Sequence, residues 1–197
     1  MNNTIANIIK ARIEDLDFID KIAGLVSTVH MNITDENGTK VQKAYPVACD
    51  VTADDCKQGA YNDLCPDSKY MTVIYFEDGG VEFRERKGIF TCFTSRLRLV
   101  CWINVAKYLS ECCNEGITCT ASADIIKKIL CALPPQPENI DPYTSVYPVV
   151  TSQLVRSNSI FSQYSYNEKQ TQYLMAPFDY FALNIVTEFC VCMDCDD

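Results

Sequence analysis

One long stretch of alternating side chains constrains the fold of this chain more than any other feature. Between Ile89 and Val105, apolar and polar residues alternate over nearly the whole length. The residues expected to face one way are Phe93, Leu97, Leu99, Cys101 and Ile103, and those expected to face the other way are Thr94, Arg96 and Arg98. This period is typical of a strand with one face on a core and the other towards solvent or a partner. Because the stretch exceeds the usual strand length, we expect a bent strand or one that extends beyond its sheet.

Strand signals also precede this stretch. Tyr70 to Phe76 is rich in β-branched and aromatic residues, Asp78-Gly79-Gly80 is a turn sequence, and Val81 to Arg86 alternates cleanly, so the pattern predicts a hairpin. Further upstream, Val26 to Ile33 and Lys40 to Val51 flank a predicted turn at Asp35-Glu36-Asn37-Gly38. The Tyr45-Pro46 bond favours an edge position for the second of these strands, because proline cannot donate to a neighbouring strand.

Later segments predict two more strands. Val146 to Val155 is β-rich, and Phe178 to Val191 would place Leu183, Ile185 and Phe189 on one face.

Two segments have the periodicity of amphipathic helices. The first is expected to start at Thr4 as N-cap and to stop at Gly24. Its predicted apolar face comprises Ile5, Ile8, Ile9, Ile13, Leu16, Ile19 and Ile22. The second is expected to start near Ser122 as N-cap, with Asp124 in the first turn, and to end at Pro134-Pro135. Its predicted apolar side comprises Ile125, Ile126, Ile129, Leu130 and Leu133.

The remaining segments read as connections. Thr52 to Ser68 is predicted to be a polar, acidic loop insertion that holds Cys56 and Cys65, and Gln136 to Tyr143 a proline-bearing connector. Ser157 to Gln172 is polar and tyrosine-rich, which suits a hairpin or a loop. The order of elements predicts residues 1–197 as a single α+β domain. Its antiparallel sheet would carry an N-terminal and a central helix and would have long strand or hairpin extensions.

Charge and hydropathy narrow the class of function. The net charge of −9 argues against a protein that grips nucleic acid by neutralising phosphates, but not against one that lines a passage for DNA. Met1 to Gly24 lacks the apolar core of a signal peptide, and no stretch approaches a membrane span, so we expect a protein made in the cytoplasm.

Little in the sequence suggests catalysis. His30 is the one histidine, it lies in a strand-like run, and no carboxylate is near it in sequence. No phosphate-binding loop motif occurs, and Asp54 and Asp55 are better read as part of a solvated loop than as a catalytic pair. The sequence therefore predicts no catalytic, cofactor-binding or metal-ligating residue, no cofactor and no enzyme activity.

The chain has twelve cysteines, most of which we expect to act as small hydrophobic residues in a reducing compartment. They are Cys49, Cys56, Cys65, Cys92, Cys101, Cys112, Cys113, Cys119, Cys131, Cys190, Cys192 and Cys195. The spacing of Cys190, Cys192 and Cys195 supports an alternative, a small zinc-stabilised protein-binding module. Disulfides among Cys49, Cys56 and Cys65 and a thiol enzyme with a low-pKa cysteine near His30 also stay open.

The last third of the chain is rich in aromatic residues. These are Tyr143, Tyr147, Phe161, Tyr164, Tyr166, Tyr173, Phe178, Tyr180 and Phe181. Tyrosine is favoured at protein interfaces because it combines a large contact area with a polar tip. A tyrosine-rich sheet face explains this composition equally well, and the two readings are compatible with each other.

The order of elements resembles that of the tail-terminator and neck-ring proteins of tailed bacteriophages. The resemblance is carried by the helix from Ile5 to Ala23, the strands from Tyr70 to Val105 and the helix Ser122-Ala-Asp-Ile-Ile-Lys-Lys-Ile-Leu. An aromatic and proline-bearing approach to the last strand completes it, in Ile160-Phe-Ser-Gln-Tyr-Ser-Tyr and Leu174-Met-Ala-Pro-Phe-Asp-Tyr-Phe. The abundance of Cys, Tyr and Asn is similar to that in structural proteins of crAss-like phages.

This resemblance implies a structural virion protein. Copies would form a homo-oligomeric ring, six- or twelve-fold, in the neck between the portal or adaptor and the tail proteins. The ring would be assembled in the host cytoplasm and would pass DNA without sequence-specific binding and without a membrane. The insertion at Thr52 to Ser68 and the cysteine content differ from simple tail terminators, so the layer of the neck is left open.

Overall fold

In the computed structural model the described residues are 1–34, 38–112, 121–133, 138–141, 144–146, 150–166 and 168–192. The helices are α1 Asn2–Ile13, α2 Ala53–Lys57, α3 Val105–Cys112, α4 Ala121–Ala132 and α5 Glu168–Gln172. The strands are β1 Lys21–Thr34, β2 Lys40–Ala48, β3 Thr72–Lys87, β4 Phe90–Asn104, β5 Glu138–Asp141, β6 Thr144–Val146, β7 Val150–Val155 and β8 Phe178–Cys192. Two 3-10 turns lie at Ala60–Asn62 and Asn158–Phe161. None of the helices in these residues is long and apolar enough to cross a membrane.

The described strands join in one sheet in the order β2-β1-β3-β4-β8-β6-β5, with β7 also paired to β8. The predicted α+β class is confirmed. The sheet is antiparallel except between β1 and β3, which run parallel. The parallel pair arises because β2 ends beside the start of β1, where Cys49 N–H donates to the Leu25 carbonyl at 2.9 Å. The chain therefore enters β3 from the same end as β1, and β2 occupies the edge that Pro46 indicated.

One face of the sheet, called here the helix face, carries the main core. Alternate side chains of β3, β4 and β8 point to it, and α1 and α4 cover them. Ile5, Ile9 and Ile13 of α1 are buried against this face, as are Ile125 and Ile129 of α4. The predicted inward set of β4 is confirmed, because Leu97, Leu99, Cys101 and Ile103 are buried here and Phe93 packs at the margin.

The opposite face, called here the aromatic face, carries a second core. Val100 and Trp102 of β4 pack with Ile160, Phe161 and Tyr164 from the segment that follows β7. The Trp102 indole N–H donates to the Tyr173 carbonyl at 2.7 Å. The expectation that this side of β4 would face solvent or a partner therefore fails at Val100 and Trp102, whereas Arg96 is exposed and Thr94 and Arg98 are half-buried. Ser157 to Gln172, expected to be a hairpin or a loop, instead forms a 3-10 turn and a short helix.

Several predicted boundaries differ from the structure. The first helix ends at Ile13, with Met1 rather than Thr4 as N-cap, and Ile22 and Gly24 belong to β1. The isoleucine spacing continues past Ile13, but the later apolar residues pack on the core from a turn and a strand. Helix α3 starts at Val105, the last residue of the predicted long strand, and the sequence analysis did not predict it. Residues 138–141, expected to be a connector, form β5.

The Asp78-Gly79-Gly80 sequence is a bulge and not a hairpin turn. Asp78 pairs with Leu97 and Val81 with Ser95, so the two glycines oppose Arg96 alone and β3 continues to Lys87. A Cβ at Gly79 would lie 3.0 Å from the Arg96 carbonyl oxygen, and Gly80 has a φ of +92°, so a larger residue would be strained at either position. The hairpin closes instead at Gly88-Ile89, with Gly88 at φ +62°.

The segment from Thr52 to Ser68 is folded onto the sheet and is not a simple polar loop. Thr52 caps α2 in a reciprocal hydrogen-bond pair with Asp55. Cys56 and Cys65 are buried against Tyr45 and Val47 of β2 and form a third apolar cluster. The predicted turn at 35–37 and the proline stop at 134–135 lie outside the described residues.

Candidate interaction surface

The sheet extends beyond its helical cover at one end. We call this extension the distal arm and define it as Val81–Lys87 of β3, the turn Gly88-Ile89 and Phe90–Arg96 of β4. Strand β1 pairs with β3 only as far as Phe76, so in the described part of the chain the outer edge of the arm has no neighbouring strand. The arm realises the expected long hairpin extension.

Large apolar side chains are exposed on this arm. Of those that are exposed in the described residues, four lie here: Val81 at 45%, Phe83 at 65%, Ile89 at 46% and Phe90 at 41%. Large exposed apolar patches are rare on soluble monomers, and where they occur they often mark interaction sites. The signal was present in the sequence, because the alternation from Val81 to Arg86 requires one apolar face, yet the sequence interpretation did not assign that face a role.

An aromatic ladder crosses the helix face of the arm. Phe83, Phe93 and Phe189 lie side by side on β3, β4 and β8, with ring centroids 6.2 Å and 5.2 Å apart. Phe189 is buried beneath the helix layer, Phe93 is half-buried and Phe83 is exposed. The ladder is covered at the β8 end and open at the β3 edge, so a partner that packs on Phe83 would continue the existing core.

Ion pairs cover the other surface of the arm. The Nε and Nη2 atoms of Arg96 donate to the two carboxylate oxygens of Glu82, at 3.2 Å and 3.0 Å. The Lys87 Nζ lies 2.9 Å from the Glu85 carboxylate. These hydrogen bonds lower the pKa of the Glu82 and Glu85 carboxyls, although Glu82 is exposed and Glu85 is only half-buried. Arg84 reaches Glu188 of β8. The Arg96–Glu82 pair links β3 to β4, and the charges of these pairs stay in contact with water.

A disulfide joins the arm to β8. Cys92 and Cys190 are register partners in the antiparallel pair β4–β8, and their sulfurs are bonded. The expectation that the cysteines act mostly as apolar filler is therefore wrong for this pair. Cys101 is buried as expected, whereas Cys49, Cys56 and Cys65, the loop cysteines considered for disulfides, remain thiols.

Of the three cysteines considered as zinc ligands, the structure describes Cys190 and Cys192. Cys190 is in the disulfide, which removes one of the three thiolates that motivated a zinc module. Cys195 lies outside the described residues, as do Cys113 and Cys119. Within the residues described here, no three His, Cys, Asp or Glu side chains converge as a metal requires.

Cys56 and Cys65, which lie under the strand that carries His30, do not form the considered thiol site with it. His30 is exposed on β1, whereas Cys56 and Cys65 are buried with its neighbours Val29 and Met31, whose side chains point the other way. Burial raises the pKa of the Cys65 thiol to about 12 and that of the Cys101 thiol well above its usual value. These two thiols stay protonated at neutral pH and are weak nucleophiles.

A polar groove of about 510 Å³ lies on the aromatic face at the base of the arm. There the Arg98 Nη1 is 3.7 Å from Glu77, and its Nε donates to Asn184 at 3.3 Å. The Tyr164 hydroxyl donates to the same Glu77 carboxylate at 2.8 Å. Burial raises the pKa of Glu77, and the hydrogen bonds from Tyr164 and Gln163 and the charge of Arg98 oppose that rise. The groove is a network that ties β3, β4 and β8 together.

The aromatic residues of the last third are mostly structural. Phe161, Tyr164 and Phe181 are buried, and the partly buried members pack against the second core. These contacts agree with a tyrosine-rich sheet face, and the large aromatic side chains that are exposed in the described part of the chain, Phe83 and Phe90, lie on the arm. Tyr143 and Tyr147 are outside the described residues.

Comparison with known protein families finds no family model that matches this chain, and comparison with curated protein sequences finds no match.

Proposed function

We propose that this chain is a non-enzymatic structural subunit of a tailed-phage virion that forms a homo-oligomeric ring, six- or twelve-fold, in the neck between portal and tail. The observation that carries this proposal is the distal arm with its exposed apolar side chains, since one copy leaves that surface open to water. Contacts with portal or adaptor and tail proteins lie above and below the ring. The ring is of the tail-terminator or connector type.

Two further features support the proposal. The net charge of −9 suits a wall past which DNA slides, because like charges repel and no phosphate is gripped. The Cys92–Cys190 disulfide suits a protein that is assembled in the host cytoplasm and ends in a virion outside the cell, since disulfides persist in oxidising surroundings. The zinc-stabilised module is not proposed, because Cys190 is taken by that disulfide.

The decisive experiment combines light scattering with virion analysis. Size-exclusion chromatography with light scattering measures the mass of the purified chain over a range of concentrations. Mass spectrometry and imaging of purified virions then locate the protein, which covers the case of a ring that forms only on its partners. We expect a closed ring in solution or in the neck. A chain that is monomeric at all concentrations and absent from virions contradicts the proposal.

A matched pair of variants tests the role of the arm in this assembly. Phe83→Ser removes an aromatic ring that is 65% exposed, and Met175→Ser removes a side chain that is 63% exposed outside the arm. We expect Phe83→Ser to weaken assembly by about tenfold or more, as loss of a central aromatic contact does, with unchanged circular dichroism. Met175→Ser should assemble as the wild type does. Equal effects of the two variants contradict a specific role of the arm.

A further inference from the structure

The distal arm carries a charge opposite to that of the rest of the molecule. It holds four basic side chains, Arg84, Arg86, Lys87 and Arg96, against two acidic ones, Glu82 and Glu85. The net charge of the arm is thus +2. Because the whole chain carries −9, the remainder of the chain carries −11. At the tip, the Arg86 Nε donates to the Gly88 carbonyl at 3.3 Å, and in the described residues no carboxylate lies within ion-pair distance of its guanidinium.

An acidic segment lies at the other end of the molecule. Residues 50–67 contain five aspartates and one lysine, a net charge of −4. Asp63 is exposed and lies 3.6 Å from Lys21, and Asp67 lies 3.4 Å from Lys69. These two pairs are solvent-exposed, so they neutralise the segment only weakly.

A depression of about 400 Å³ opens in this acidic segment. Its lining includes Asn62, Asp63, Pro66, Asp67, Gln170 and Tyr173. A volume of this size accepts an aromatic or branched side chain. The arm tip offers such side chains in Ile89 and Phe90, with Arg86 and Lys87 beside them to meet the aspartates.

The arm of one copy cannot reach its own depression. The lining ends at Lys69 and Tyr173 near the start of β3, whereas the tip follows the end of β3 at Lys87. A strand of this length spans about 50 Å at roughly 3.3 Å per residue. The arm tip and the depression therefore lie at opposite ends of the same strand. This is the arrangement of a head-to-tail contact, the type that generates rings.

We infer that the arm tip of one copy, with Arg86, Ile89 and Phe90, seats in the acidic depression beside Asp63 and Asp67 of the next copy. This inference rests on the proposed ring and names the surfaces that form it. The occupant is a second copy because the chain itself supplies the acidic partner that a basic, apolar tip requires. Each copy then donates one arm and receives one, so no copy in a closed ring leaves its arm open.

Zero-length cross-linking tests this contact directly. Isotopically light and heavy copies are mixed, assembled and treated with a carbodiimide, which joins an amine to a carboxylate in contact with it. Peptide mass spectrometry should show Lys87 joined to Asp63 or Asp67 in mixed light–heavy pairs. Purified virions serve in place of the mixture if the ring forms only there. A link from Lys87 to Glu85 within one copy is expected in any case, because the two lie 2.9 Å apart. Cross-links from Lys87 to another virion protein, or to other parts of this chain in mixed light–heavy pairs, overturn the inference.

Charge-reversal variants supply a second, independent test of this contact. We expect Arg86→Glu and Asp63→Arg each to weaken assembly by about tenfold, and the double variant to recover most of that loss, because opposite charges face each other again. Lys40→Glu, an equal charge change on exposed β2, should leave assembly unaffected. Trp102 fluorescence verifies that all variants fold.

The outcomes separate this contact from the ring itself. Rings that form normally with both single reversals, and without cross-links from Lys87 to Asp63 or Asp67, overturn the contact and leave the proposed function standing. Absence of any ring, in solution and in virions, overturns both.

Discussion

Asn2 and Ser95 form a buried polar contact beneath the bend in β3. The Ser95 hydroxyl donates to Asn2 Oδ1 at 2.5 Å, and Asn2 Nδ2 donates to Asp78 Oδ1 at 2.6 Å. The same Asp78 oxygen accepts from Gly80 N–H at 2.7 Å. Three side chains distant in sequence therefore fix the bulge from which the distal arm departs, and each buried polar atom has a partner.

Removing one partner of this contact should destabilise the folded protein. We expect Ser95→Ala to lower the free energy of unfolding by about 1–3 kcal/mol, because Asn2 Oδ1 would be left buried without its donor. Urea denaturation followed by the fluorescence of Trp102 measures the change. Ser162→Ala removes an exposed hydroxyl that donates to the Ser159 carbonyl at 2.8 Å and should have little effect. Equal losses in the two variants would count against the buried contact.

Glu77 makes stability depend on pH at a single residue. Burial raises its pKa in the folded state, so the folded protein binds the proton more tightly than the unfolded chain does. The contribution of Glu77 is therefore most favourable at low pH and is lost as pH rises from the unfolded pKa through the raised folded pKa.

We expect Glu77→Gln to remove this dependence. The free energies of unfolding of wild type and variant are measured between about pH 4 and pH 7, around the usual glutamate pKa. The difference, variant minus wild type, should increase with pH across this window. A difference that stays constant, or that decreases, contradicts a raised pKa. Glu82→Gln, at an exposed carboxyl whose pKa is lowered, should give the opposite slope.

At the scale of elements, α1 is stabilised by burial of one face. Helix α1 has no side-chain cap at its N-terminus, so its stability comes from packing on the sheet rather than from local signals. Ile9 is fully buried, whereas its neighbour Ile8 is only half-buried. The two residues have the same side chain in the same helix and differ in their contacts.

This pair gives a test of the helix-face core. We expect Ile9→Ala to lower the free energy of unfolding by about 2–5 kcal/mol, since it leaves a cavity in a packed core. Ile8→Ala has the same helix propensity change and should cost clearly less. Chemical denaturation of the two variants decides the matter. A larger loss for Ile8→Ala would mean that α1 presents a different face to the sheet.

At the scale of the whole molecule, the Cys92–Cys190 disulfide joins segments 98 residues apart in sequence. It connects the hairpin that forms the arm to the last strand, and it closes a loop that contains α3, α4 and the second core segment. Because a cross-link restricts the unfolded chain most when the loop is long, its effect on stability is global rather than local.

We expect reduction of this bond to lower the free energy of unfolding by about 2–4 kcal/mol. Melting temperature is measured with and without a thiol reductant in the wild type and in a Cys92→Ala, Cys190→Ala double variant. The reductant should lower the melting temperature of the wild type alone. Titration of denatured, unreduced protein should find at least two thiols fewer than the twelve cysteines. Twelve free thiols, with no effect of reductant, would contradict the bond.

The sequence alone was sufficient for elements whose side-chain period is long and regular. The strand that contains Leu97 and Leu99, the last strand with Leu183 and Ile185, and the helix with Ile125 and Ile129 all follow from local periodicity. So does the edge position of the strand with Pro46, because a missing N–H is a property of the residue itself. The α+β class follows from the order of these elements.

Only the tertiary structure decided what depends on contacts between distant segments. The apolar residues that continue the helical spacing beyond Ile13, namely Leu16, Ile19 and Ile22, lie in a turn and in β1. They pack against the same core, although they are not part of the helix. Gly79 and Gly80 form a bulge because β4 continues beside them, and Cys92 meets Cys190 because their register in the sheet makes them partners. The open face of Phe83 follows from where the helix layer ends, which no local pattern encodes, since burial is a property of the assembled fold.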